Sequence, residues 1–199
     1  MASQVQIANR ALTKLGAARI ISFDDDNKQS RAVKSMFELV RDAEFRDHLW
    51  SFTAKRVSLP ALVTTPDWGF AFEYAVPSDY IRLIQINDIY PGPSLEDYRN
   101  ASVAEYVIEG RKILTNYAAP LRVRYVSRVE DTSQWDASFV EAFACRLAVE
   151  MAEDLTQSST KKESAKDDYK TAIAKAIRAD GIEQPPQDLP DDAWMLSRI

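Results

Sequence analysis

Glu150, Glu153 and Asp154 place three carboxylates within one helical turn. Paired acids do glycosidic chemistry when they face each other across a cleft, about 5–9 Å apart and usually from different elements. Three acids on one flank of a helix predict a solvated face instead. His48 is the only histidine, which removes His-pair metal binding and most Ser-His or Cys-His catalysis. It falls at the C-terminal end of a predicted helix, where a positive imidazole complements the dipole. Cys145 is the only cysteine; it has no intrachain disulfide partner and no sequence-local base, and its apolar neighbours predict a small buried filler. Asp24-Asp25-Asp26-Asn27 lacks the alternating spacing and closing Glu of a calcium loop and predicts a helix N-terminal cap. The aromatics Trp50, Phe52, Trp68, Phe70, Phe72 and Tyr74 offer stacking surfaces for sugars or bases, but their alternation predicts the core of a sheet. The five glycines form no G-x-G-x-x-G, G-K-[ST] or G-x-S-x-G pattern. These residues predict no catalytic group, no cofactor and no metal.

The elements that position them are read from periodicity. The strongest signal is Trp135 to Leu155. Trp135, Phe139, Phe143, Leu147, Met151 and Leu155 recur every fourth residue beside a second row, Val140, Ala144, Ala148 and Ala152. Together they make one broad apolar stripe, with a small row over which a neighbouring helix can approach closely. This predicts a central helix over 134–155, capped by Asp131 to Ser133. A first helix, 3–15, buries Val5, Ala8, Leu12 and Leu15 and stops at Gly16. A second, 28–47, buries Val33, Phe37, Val40 and Glu44, with Ala32, Met36 and Ala43 widening the face. A fourth, 161–180, opens on a Thr160-x-x-Glu163 capping box, buries Ala165, Tyr169, Ile173 and Ile177, and closes at Gly181.

Between the helix pairs, residues 50–129 read as about six strands. Trp50 to Leu59 alternates with a change of phase, which predicts a strand with a bulge. Phe70 to Val76, Tyr80 to Ile89 and Leu121 to Val129 are further strands, and Glu109-Gly110-Arg111 turns a hairpin. Pro91 to Ala104 reads as a long exposed loop. The expected fold is α+β: a single domain over 1–181, built as a four-helix bundle from the N- and C-terminal helix pairs with an inserted antiparallel β-lobe. Residues 182–199, with Pro185, Pro186 and Pro190, read as an extended arm.

The chain has 199 residues, 46% hydrophobic and 28% charged, with a formal net charge of −5. That is an ordinary globular composition, and a mildly acidic balance disfavours nucleic-acid binding by default. No stretch approaches the roughly 18 apolar residues of a membrane span, and MASQVQIANRAL lacks the basic start and apolar run of a secretory leader, so synthesis and folding in cytoplasm are expected.

Several stretches in order carry a resemblance. They are LTKLGAARII (Leu12 to Ile21) with the acidic run after it; Arg41-Asp42; His48-Leu49-Trp50-Ser51-Phe52 with Lys55-Arg56; Trp68-Gly69; Val76-Pro77-Ser78-Asp79; Glu109-Gly110-Arg111 with Ile113-Leu114; Arg124-Tyr125-Val126; and Phe139, Ala142, Leu147 and Ala148 on the central helix. Over roughly residues 5 to 180 this order resembles the tail tubular protein A family, the head-to-tail adaptors or gatekeepers of short-tailed bacteriophages. The resemblance implies a virion structural protein of the tail or neck and not an enzyme. Its copies would form a ring, usually of twelve subunits, beneath the portal protein. The ring would join the portal to a tail nozzle of the tail tubular protein B kind, and DNA would pass its channel without specific binding. It implies a helical bundle with a β-lobe and no catalytic or cofactor residues. The arm departs from the pattern, and its apolar end, Trp194, Met195, Leu196 and Ile199, is the expected contact to the portal or to an adjacent subunit. The alternative reading is a tail-associated glycan hydrolase acting on the host envelope, which requires a cleft with two opposed carboxylates.

Overall fold

The computed structural model describes residues 2–87 and 106–183. Ser3 opens α1 (Gln4–Leu15): its hydroxyl accepts from the Gln6 amide at 3.2 Å, and the Gln6 side chain accepts from the Ser3 amide at 2.8 Å, a reciprocal cap. Gly16 closes the helix at φ +71°, and the Ala17 amide reaches back to the Leu12 carbonyl at 2.9 Å. The left-handed region costs a residue with a Cβ about 1–2 kcal/mol. Gly16→Ala is therefore expected to lower stability by about that amount in urea unfolding; an added Cβ meets only the flexible end of Lys161, at 3.4 Å.

Helix α2 (Lys28–Asp47) starts at Asn27, whose side chain accepts from the Ser30 amide at 2.7 Å. The acids before it are structural: Asp24 pairs with Lys34 at 2.7 Å, Asp26 with Arg31 at 2.6 Å, and Asp25 accepts from the Ile21 and Ser22 amides. Helix α3 (Ala137–Thr156) begins later than its apolar period suggests. Asp131 caps a separate 3-10 turn, Thr132–Gln134, and Asp136 caps α3 by accepting from the Ser138 and Phe139 amides. Helix α4 (Ser159–Glu183) differs at both ends from expectation. The Ser158 hydroxyl, not a Thr160 box, accepts from the Lys161 amide at 3.4 Å. Gly181 lies inside the helix, on an open face where it carries no packing load, so its propensity cost of about 1 kcal/mol is tolerated.

Among the described residues six strands lie between α2 and α3: β1 (Ala54–Leu59), β2 (Phe72–Ala75), β3 (Tyr80–Ile86), β4 (Tyr106–Glu109), β5 (Lys112–Thr115) and β6 (Leu121–Ser127). They form two antiparallel three-stranded sheets, β1-β6-β3 and β2-β5-β4. The phase change expected as a bulge in the first strand is instead a 3-10 turn, Ser51–Thr53, ahead of β1. The β4–β5 turn has Gly110 at φ +52° and Arg111 at φ +64°, the conformation that matches the twist of a two-residue hairpin.

Helix α3 is the centre. Phe139, Phe143, Leu147, Ala144, Ala148 and Ala152 are fully buried, packed against α1, α2 and α4. An aromatic cluster joins the layers: Phe143 meets Phe37 and Trp135 edge-on at 5.2 Å, and Trp50 meets Phe139 at 4.8 Å. Trp50 and Phe52 thus belong to the helical core, not to a sheet core, and Trp68 is exposed. Val126 and Ile84 carry one end of the first sheet into this core, while Leu59, Tyr74, Leu83, Ile113, Val123 and Tyr125 form a second core between strands. The architecture is mixed helix and sheet, α+β. The loop expected over Pro91 to Ala104 and the end of the strand expected to reach Ile89 lie outside the described residues.

Candidate functional site

The residues singled out as a partner contact, Trp194, Met195, Leu196 and Ile199, lie outside the described residues, as do Pro185, Pro186 and Pro190. What is described is the helix that leads to them. Its last turns expose Ile177 (40%) and Ile182 (78%).

A polar knot fixes that helix against α2. Glu44 is buried, and its two carboxylate oxygens accept from the Tyr169 hydroxyl at 2.9 and 3.0 Å. Arg146 lies 3.6 Å from Glu44, pairs with Glu150 at 2.8 Å, and stacks its guanidinium over the Tyr169 ring. Burial raises the Glu44 carboxyl above the usual glutamate range; the Tyr169 hydrogen bond and the Arg146 charge oppose this without cancelling it. Burial and the neighbouring Glu44 charge raise Tyr169. Further along, buried Asp180 accepts from the Ser51 amide at 2.8 Å and the Ser51 hydroxyl at 2.6 Å, with His48 Nε2 at 3.4 Å. The single histidine thus joins α2 to α4 where the chain turns toward β1. This is a clamp between the end of α2 and the last turns of α4.

The remaining candidates resolve into structure. Glu150, Glu153 and Asp154 are exposed and pair with Arg146, Lys162 and Lys28. Cys145 is buried, and desolvation raises its thiol, away from a reactive thiolate. On the first sheet, Asp79 holds Lys55 at 2.7 Å and the Tyr125 hydroxyl at 2.9 Å. Burial pushes Asp79 up, but these hydrogen bonds outweigh it and hold the carboxyl below its usual range. Burial and the Asp79 bond push the Tyr125 phenol up to about 12. Among the described residues no three His, Cys, Asp or Glu side chains converge as a metal site, and no helix is long and apolar enough to cross a membrane.

Two features escaped the sequence reading. Met36 and Ala43, expected to widen the buried face of α2, are exposed; with half-buried Ala32 and exposed Leu39 (71%) they form a second apolar line at i, i+4, i+7, i+11. That spacing was visible but merged with the core stripe beside it. The other is an open cleft of about 600 Å³ beside Trp68, bordered by Asp67, Phe70, Glu73 and Glu109. Trp68 is 87% exposed, and the Glu73 carboxylate, buried at the cleft, is ion-paired to Lys112. No family model matches this chain, and no curated protein matches it at a significant level.

Proposed function

We propose that this chain is a phage virion structural protein, a head-to-tail adaptor of the tail tubular protein A kind. Its copies pack side by side in a ring, of twelve subunits as the resemblance implies, between the portal protein and the tail nozzle, around a channel that passes DNA. In this reading the four helices are a bundle, the two sheets are a lobe inserted between α2 and α3, and residues 184–199 are an arm. The observation that supports it is the large apolar side chains left exposed among the described residues, Met36 and Leu39 on one face of α2 and Ile177 and Ile182 singly in the last turns of α4. Such side chains suit neighbours that arrive on assembly. The chain alone is a monomer in this reading, since no long heptad seam drives self-association.

The test mixes purified chain with a cognate portal and images the product by negative stain. A ring on the portal is expected, with monomer alone by light scattering. Because α4 runs to Glu183, the arm is removed by deleting 184–199. The deletion is expected to leave the melting temperature nearly unchanged and abolish portal binding. Full-length chain that ignores the portal overturns the adaptor reading; binding that survives the deletion, or a large fall in melting temperature, overturns the arm alone.

The glycan hydrolase alternative is favoured by one observation, the cleft with Trp68, Glu73 and Glu109. The Lys112 ion pair on Glu73 counts against it, because the ammonium already occupies the carboxylate that a substrate would have to reach. Release of reducing ends from an envelope polysaccharide, lost in Glu109→Gln, would replace the structural reading.

A further inference from the structure

The three strands of the first sheet carry five basic residues and no acidic one, in a chain with 30 acidic and 25 basic residues. Lys55 points to the face it shares with Tyr125 and is paired with Asp79. The four arginines share the opposite face. Arg56 stands directly across from Arg124, Ser58 across from Arg122, and Arg82 across from Val126, with Gln85 across from Arg124 on the other side. One end of this face, Ala54, Val126 and Ile84, packs on the helical core with half-buried Arg82 beside it; the other end presents Arg56, Arg122 and Arg124. Among the described residues, Arg56, Arg82, Arg122 and Arg124 make no ion pair, and neither do the scattered Arg19, Arg46, Arg111 and Arg178, whereas Arg10, Arg31, Arg41, Arg128 and Arg146 each have a carboxylate; what sets this face apart is that its arginines stand together on one sheet.

Directly opposed residues of an antiparallel pair have Cβ atoms about 4.5–5.5 Å apart, and like charges there destabilise the sheet. The Arg56–Arg124 pair works against folding, so the reason for it is sought outside the fold. We propose that this arginine face is a sequence-independent contact surface for the phosphate backbone of nucleic acid. The chemistry separates this from an acidic protein partner. A protein interface centres on apolar anchors ringed by polar groups, and this end of the face has Arg56, Ser58, Gln85, Arg122 and Arg124, with no apolar residue among them. Guanidinium forks match phosphate oxygens in pairs, and contacts to phosphates read no bases. The inference stands on the charge distribution and does not depend on the adaptor reading.

The test is fluorescence anisotropy of the full chain with a labelled random-sequence duplex of about 20 base pairs, over a range of salt. Each phosphate neutralised contributes about −0.9 to the slope of log K against log salt. A slope between about −2 and −4 is expected, with binding readable at about 20 mM salt. Arg56→Gln with Arg124→Gln is expected to make the slope shallower by about 2 and the affinity at least ~10-fold weaker. The same double variant should melt no lower than the parent, because it relieves the like-charge pair; this separates lost binding from lost folding. Lys175→Gln, on the exposed side of α4, is the control and should change neither. Absence of binding at low salt, a slope untouched by the double variant, or tighter capture of polyglutamate than of the duplex each overturns the proposal.

Discussion

Phe143→Ala is expected to destabilise the protein by about 3–5 kcal/mol, the range for emptying a buried aromatic site. The side chain is fully buried, and its ring contacts reach α2 through Phe37, the 3-10 corner through Trp135, and its own helix through Phe139 at 5.9 Å. These partners are themselves fixed by other contacts: Trp135 donates its indole N–H to the Val129 carbonyl at 3.0 Å, and Phe37 stands against Phe23. The surroundings therefore have little freedom to collapse into the void, which puts the cost at the upper end. For a chain of this size about 2–4 °C of melting temperature go with each kcal/mol, a fall of roughly 6–20 °C. Leu39→Ala is the matched control, at an exposed position where the change should stay within about 0.5 kcal/mol. Equal urea midpoints for the two variants would remove α3 from the centre of the fold.

The second large effect is expected at Tyr169→Phe, and it depends on pH. The folded pKa of Glu44 lies above its usual value, so the stability tied to this group is fullest below the ordinary glutamate pKa. It is lost as pH rises through the raised folded value. The hydrogen bond from the Tyr169 hydroxyl, shared between the two Glu44 oxygens, limits that loss by favouring the ionised form. Removing it costs about 1.5–3 kcal/mol, the range for a bond to a charged group, and lets the folded value climb further. The destabilisation should be largest near neutral pH and above, and shrink as the solution becomes acid enough to protonate Glu44. Urea unfolding at about pH 4 and about pH 7.5, either side of a raised glutamate, reads the difference. Glu44→Gln should flatten the acid-to-neutral slope. A Tyr169→Phe penalty that is the same at both values would show that the hydroxyl does not act through the Glu44 charge.

Local signals were legible in the sequence and paired ones were not. The stripe from Trp135 to Met151 was readable because a helix repeats one face within a single segment, and Gly16 was readable because only glycine reaches φ +71° at little cost. The Glu109 to Lys112 turn was likewise contained in its own four residues. Trp50 and Phe52 misled because alternating aromatics look the same in a strand and in the 3-10 turn before one. Gly181 misled because a glycine on an open helical face costs too little to stop the helix. Asp131 and Asp136 each cap an element, and only the backbone shows which belongs to α3. The buried partnership of Glu44 with Tyr169 and the opposition of Arg56 and Arg124 join residues far apart in the chain. Neither has any local pattern, so neither could be found before the register was known.

The position of α3 has a consequence for how the chain is made. It packs with each of α1, α2 and α4, yet it is translated after residues 48–136. Helices α1 and α2 leave the ribosome first, with the cover of Leu12, Val33 and Phe37 still incomplete. At about 5–20 residues per second, the interval before α3 begins to emerge is roughly 5–20 s. The C-terminal hairpin of α3 and α4, joined by Gln157 and Ser158, closes locally and fast by comparison. Folding thus waits on the last third of the chain, and a message truncated before codon 137 yields α1, α2 and the strands without the helix on which α1 and α2 make most of their contacts.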